Sequence, residues 1–176
     1  MESFLFRTFT ILRGVIYSAA FVWLWTWLAV SVRPFDAQLP ISLPVWLRPL
    51  GFILASAGAL LAGICIAMFV TRGRGTPAPF DPPRQFVASG PYRYVRNPMY
   101  VGAAAAILGC GLALSSPSIV LLALAFLPMM HLFVVLHEEP TLVGKFGISY
   151  QRYCSSVRRW LIQIPNQAPL MCSDEP

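Results

Sequence analysis

Two short blocks concentrate the residues able to do chemistry. The first is GPYRYVRNPMYVG, Gly90 to Gly102, which sets three tyrosines and two arginines around an Asn–Pro pair. The second is EEP, Glu138 to Pro140, two adjacent carboxylates at the end of an apolar run. Asn is a favoured N-cap and Pro a favoured first helical residue, so Asn97–Pro98 predicts a helix start. Two readings then stand for the flanking side chains. In one, Tyr92, Tyr94 and Tyr100 form an aromatic belt at lipid headgroups, with Arg93 and Arg96 as snorkelling anchors. In the other, helix-start N–H groups, arginines and tyrosine faces converge on one polar ligand. A ligand with both a carboxylate and a cationic centre suits that mixture.

The glutamates pose the complementary question. A carboxylate at a helix C-terminus sits at the unfavourable end of the macrodipole. Either Pro140 starts a new helix, placing both glutamates at its favourable N-terminus, or the pair needs a cationic or hydroxyl-bearing partner. His131 lies about two turns inside the preceding apolar run. An ionisable residue there is a functional suspect, and a hydrogen bond to a neighbouring helix is its structural alternative. His137 falls at the interface, where solvation suffices. Cys65, Cys110, Cys154 and Cys172 form no C-x-x-C pair, so neither a disulfide framework nor a metal site is indicated. No phosphate-binding glycine loop is present.

The elements that must hold these residues are membrane helices. Charged residues make up 11% of the chain and hydrophobic ones 57%, against about 25% charged in soluble domains. Four apolar stretches, about 12–32, 47–70, 98–116 and 118–137, are long enough to cross a bilayer. The first follows Arg7 and Arg13 but lacks a convincing cleavage site, so a retained span is expected. Small residues in the second (Gly51, Ser56, Gly58, Gly63) and third (Gly102, Ala105, Ala106, Gly109, Cys110, Ala113) predict close helix packing. Ser115 to Ser118 is short enough to predict an antiparallel hairpin of the last two spans.

Of the 13 Lys and Arg, only Arg33 and Arg48 fall on the side opposite the termini. That asymmetry predicts cytoplasmic termini and a cytoplasmic loop between spans two and three. It also points to a membrane rather than to nucleic acid as the partner. The loop TRGRGTPAPFDPPRQFVASG is too rich in Pro and Gly for regular structure and is expected to lie extended over that face. After the fourth span, Leu142, Phe146, Tyr150, Tyr153, Val157 and Trp160 recur every three or four residues. An amphipathic helix along the interface, loosened by Gly144 and Gly147, is expected. The tail from Pro165 is expected to be disordered. The fold class is thus an all-α polytopic membrane bundle of about four spans plus one C-terminal amphipathic helix, in a single domain.

The chain resembles the membrane methyltransferases that include isoprenylcysteine carboxyl methyltransferases and phospholipid N-methyltransferases. The resemblance rests on GPYRYVRNPMYVG at 90–102, EEPTLVGKFGISYQRY at 138–153 and the closing VRRWL. It covers about the C-terminal half; the first two spans match only in being hydrophobic. It implies S-adenosyl-L-methionine as methyl donor, bound between the last two spans and the cytosolic segments. Carried over by position, Tyr92, Asn97, Pro98, Met99 and Tyr100 line the cofactor pocket, with Glu138 and Glu139 facing them. Arg96, Arg84 and Gln85 are expected to contribute, within a cofactor region of about 84–160. Asn97 stands where carboxyl methyltransferases usually have His, which weakens carboxyl methylation.

The implied reaction is an in-line displacement at the sulfonium carbon, served by positioning and exclusion of water. An amine acceptor must first lose a proton, and Glu138, Glu139 and His131 are the candidate bases. The expected acceptor is lipid-like, an isoprenoid or phospholipid, arriving sideways from the bilayer. Two other functions fit parts of the pattern. Sterol reductases that use NADPH share a similar C-terminal block but need more spans, and a non-catalytic membrane protein retaining the fold is the other.

Overall fold

Helices α2 (Arg48–Thr71) and α3 (Pro98–Ala113) pack in close contact, because glycines let their backbones touch. A Cβ built on Gly58 would lie 2.5 Å from the Gly102 carbonyl oxygen and 2.5 Å from the Ala106 nitrogen. One on Gly109 would lie 2.3 Å from the Ala55 nitrogen. Of the small residues expected to pack, Gly51, Gly58, Gly102 and Gly109 lie in this contact, whereas a Cβ on Gly63 would meet nothing and Ser56 and Cys110 are exposed.

The computed structural model describes residues 2–73 and 86–163. Around the α2–α3 pair stand α1 (Glu2–Val32), α4 (Pro117–Phe133) and α5 (Glu139–Ser156). The chain is an all-α membrane helical bundle. Stretches at Ile11–Gln38, Val45–Thr71 and within Pro117–Ser156 are long and apolar enough to span, and Pro98–Ala113 is a shorter apolar helix. The bundle presents large apolar side chains outward, among them Val22, Ile53, Leu60 and Leu132. Lipid solvates such a surface. Inside, Trp25 of α1 meets Phe126 of α4 edge-on at 4.6 Å between ring centroids, and Tyr100, Ala104 and Val134 complete that core.

Two boundaries differ from expectation. The third helix ends at Ala113 rather than near Ser116, because Ser115 takes a left-handed φ of 51° and turns the chain. Ser116 then caps α4 by accepting from the Ile119 N–H. The hairpin is fastened at this end of the bundle by Arg48 Nε, which donates to Ser115 Oγ at 3.1 Å. Asp36 Oδ1 accepts from the Ser118 N–H at 2.9 Å.

The second difference concerns Pro140, which starts no separate helix. A π turn, Val134–Glu138, carries α4 directly into α5. In it the Glu139 N–H reaches back five residues to the Val134 carbonyl. A proline ring clashes with the carbonyl four residues earlier in a regular helix. The widened turn removes that conflict and rotates both glutamates relative to α4. Beyond it, α5 breaks at Gly147 (φ 53°, ψ −128°), in its middle rather than at its start. The second half still buries Tyr150 and Tyr153, packed with Val157, Phe86, Leu142 and Phe146. Trp160 leaves this stripe and packs on the α1–α3–α4 core instead.

Candidate functional site

The two sequence blocks meet at one end of the bundle. A 3-10 turn, Gly90–Arg93, leads into α3 from one side, and the π turn leads into α5 from the other. The segment after α5 then closes over both: the Arg96 N–H donates to the Arg158 carbonyl at 2.9 Å, and the Gln163 N–H to the Tyr94 carbonyl at 2.8 Å.

The tyrosines divide between the two readings. Tyr94 is 43% exposed and suits an interfacial belt, whereas Tyr92 and Tyr100 are each 6% exposed and turn inward. Tyr100 donates its hydroxyl hydrogen to Glu138 Oε1. The Tyr92 ring packs edge-on against Phe69 at 5.4 Å, and its carbonyl accepts from the Tyr153 hydroxyl at 2.6 Å. Burial pushes the Tyr92 hydroxyl well above its ordinary pKa, and nearby Cys65, Tyr153 and Glu138 add to that.

Each glutamate finds one of the two partner types its position demanded. Glu138 has the hydroxyl of Tyr100. Glu139 has cations: Arg159 grips it with a two-pronged fork, Nε to Oε1 at 2.8 Å and Nη2 to Oε2 at 2.9 Å. Arg96 Nη1 adds a third bond to Oε1 at 3.1 Å and also donates to Cys154 Sγ at 2.9 Å. The hydrogen bond to Glu139 holds the Arg159 guanidinium above its ordinary pKa. Arg96, at 13% side-chain exposure, is an inward ion-pair partner and not a snorkelling anchor.

Asn97 occupies the N-cap position of α3, but its side chain makes no cap. Its amide Nδ2 instead donates to the Arg159 carbonyl at 3.2 Å, a second tether on the closing segment. Pro98 is fully buried as the first residue of α3, and Met99 packs between the clusters around Tyr92 and Tyr100. His131 is hydrogen-bonded, though not to a spanning helix: its Nδ1 accepts from Trp160 Nε1 at 3.0 Å. Arg84, Gln85, most of the Pro/Gly-rich loop and the tail from Pro165 lie outside the described residues.

From the sequence, Tyr153 and Trp160 fall only in an apolar stripe and Cys154 only among unpaired thiols, and Arg159 is given no part in the site. The signal for Arg159 was available, since a carboxylate pair in need of a cation is followed by VRRWL in the same block. Beside the polar cluster, between α3 and α4, runs an apolar groove of about 620 Å³ that ends at His131 and Trp160.

Residues 49–149 match the phospholipid methyltransferase family, a match that takes in α2, α3, α4, the π turn and the first half of α5. The chain belongs to that family. Membership implies a membrane methyltransferase acting on lipid, and the matched segment contains both sequence blocks but not Arg159 or Trp160. Neither the curated proteins nor the solved structures searched contain a significant match.

Proposed function

We propose that this phospholipid methyltransferase family member transfers the methyl group of S-adenosyl-L-methionine to the headgroup of a membrane phospholipid. The reaction is placed at the Tyr100–Glu138 pair. The observation that carries this reading is the unequal pairing of the two glutamates. Glu139 is neutralised by Arg96 and Arg159, so it positions the closing segment. Glu138 has a neutral hydroxyl as its hydrogen-bond partner, which leaves its negative charge to attract a cation.

The residues present suit the methyl donor. It carries an ammonium and a sulfonium, which the Glu138 charge and the tyrosine faces attract. It also carries a carboxylate, for which Arg96 has a buried Nε without a partner among the described residues. A buried polar atom of that kind calls for a ligand or water, whereas the buried Tyr92 hydroxyl already has the Cys65 thiol beside it. When bound, the donor supplies a methyl group on a positively charged sulfur.

The chain's own residues then bind, orient and exclude water. Pro98, Met99 and Tyr92 wall the site with apolar surface, which strengthens every charge interaction inside it. If the acceptor is an amine, the Glu138 carboxylate, oriented by the Tyr100 hydroxyl, takes its proton before transfer and passes it to water afterwards. The charge asymmetry supports cytoplasmic termini and a site on the cytoplasmic face. Incubating the purified protein with labelled donor and a total lipid extract tests the proposal. Label is expected in a phospholipid fraction, and Glu138→Gln should abolish most of it. Tight NADPH binding without donor binding would overturn it.

A further inference from the structure

The groove between α3 and α4 has a volume of about 620 Å³, within the range of roughly 300–1,000 Å³ common for small-ligand sites. Its walls are Ala104, Ala105, Leu108, Ala123 and Leu127, and its polar atoms come from His131 and Trp160 at one end. Leu124 and Leu127 along its rim are exposed, so it opens sideways among the apolar residues of the bundle surface. Ala104 is one turn from Tyr100 on the same helix, and both belong to one core cluster. The groove therefore leads from the lipid-facing surface to the wall of the proposed reaction site.

The polar end has a defined hydrogen-bonding sense. An indole N–H only donates, so the bond from Trp160 Nε1 requires an unprotonated His131 Nδ1. In that neutral ring the hydrogen is on Nε2, and the atom left for a ligand is a donor. A donor there calls for an acceptor oxygen on the ligand, and Arg96 and Arg159, both paired with Glu139, are the cations beside it. A second copy or a loop of this chain would bring neither a slender hydrocarbon nor an anion placed at its head.

We infer that this groove seats one acyl chain of a membrane phospholipid, and that His131, held by Trp160, donates from Nε2 to the headgroup phosphodiester. The inference rests on the lipid-acceptor reading above and deepens it by naming the chain's seat and the headgroup's anchor. It makes His131 a binding group, not the proton acceptor.

Two measurements on the full chain, without methyl donor, test this. The protein has two histidines, so His137→Gln leaves His131 as the single imidazole in a ¹⁵N-histidine spectrum. The expected spectrum shows hydrogen on Nε2 and a hydrogen-bonded Nδ1 that shifts in Trp160→Phe. Separately, a phospholipid with brominated acyl chains is titrated in detergent, and the Trp160 contribution is read as wild type minus Trp160→Phe. Saturable quenching is expected. Ala105→Phe and, independently, Leu108→Phe should weaken it by filling the groove. His131→Phe should weaken it about tenfold, as loss of a hydrogen bond to a charged group implies, and His131→Gln, which keeps a donor, much less.

Hydrogen on Nδ1, quenching indifferent to both groove-filling variants, or equal damage from His131→Gln and His131→Phe would each overturn the inference. The lipid-acceptor reading fails separately. Saturable quenching with no methyl transfer would leave the groove assignment standing and remove the reaction. Methyl transfer with quenching indifferent to the groove variants would do the reverse.

Discussion

Tyr100, in the first turn of α3, donates its hydroxyl hydrogen to Glu138 at the end of the π turn, joining residues 38 positions apart. The bond ties the start of α3 to the π turn and leaves Glu138 with a hydroxyl where Glu139 has two arginines. Tyr100→Phe removes the donor and leaves a half-buried carboxylate short of a partner, a loss of about 1–2 kcal/mol. We predict a lower unfolding temperature in detergent for this variant. Glu138→Gln can still accept from Tyr100, so its unfolding temperature should stay near wild type. Its affinity for the methyl donor, measured by calorimetry, should fall at least about tenfold through loss of a charge-assisted contact. Wild-type donor affinity in Glu138→Gln would remove Glu138 from the site.

The Arg159–Glu139 fork is predicted to hold the closing segment on the site. Arg159→Ala should weaken that docking by about 1–2 kcal/mol, since Glu139 then keeps only Arg96. Arg159→Lys restores charge but not the two-pronged geometry, so it should recover only part of the loss. Amide exchange at Arg96 and Gln163 reads this directly, because their N–H groups donate to Arg158 and from the segment to Tyr94. Both amides should exchange faster in Arg159→Ala than in Arg159→Lys. Unchanged protection in both variants would show that the segment docks by its backbone bonds and Trp160 alone.

Much of this was legible in the sequence because apolar length, small-residue spacing and charge asymmetry act over whole helices. The α2–α3 contact followed from Gly51, Gly58, Gly102 and Gly109, whose only shared property is the absence of a side chain. The partner types of the glutamates were legible too, since a carboxylate at that position needed a hydroxyl or a cation. What sequence did not give was direction. Tyr92, Tyr94 and Tyr100 are the same residue type within nine positions, yet Tyr94 faces out and the others in, because a 3-10 turn and an α-helix start set their bearings. Asn97 looked like a cap by type and position, but the closing segment offered its amide a carbonyl acceptor at Arg159. Pro140 offered the start of a separate helix, and the π turn carries α4 directly into α5 instead.

The α2–α3 interface sets a sharp contrast between two glycines of one helix. At Gly58 a Cβ would press on the backbone of α3 at 2.5 Å, and backbone cannot step aside. At Gly63 a Cβ meets nothing within 4 Å. Gly58→Ala should therefore force the helices apart and cost on the order of 1–3 kcal/mol, as overpacking does. Gly63→Ala should gain up to about 1 kcal/mol from helix propensity alone. Thermal unfolding of the two variants side by side checks this. Equal stabilities would mean that α2 and α3 do not meet along this face.

The break in α5 makes the second such pair. Gly147 sits at φ 53° and ψ −128°, a conformation that a residue with a Cβ adopts only under strain. Gly144 carries no such conformation, and a Cβ there meets nothing within 4 Å. Gly147→Ala should cost about 1–3 kcal/mol if the break is kept. If the chain relieves that strain by straightening α5, Tyr150 and Tyr153 rotate out of their cluster and the Tyr153 bond to the Tyr92 carbonyl is lost. Either route damages the wall behind Tyr92, so donor affinity should fall together with stability. Gly144→Ala adds a better helix former on an exposed face and should leave donor binding unchanged. Binding isotherms for the two variants decide the point: a Gly147→Ala protein that binds donor as wild type does would show that the break in α5 plays no part in holding the site.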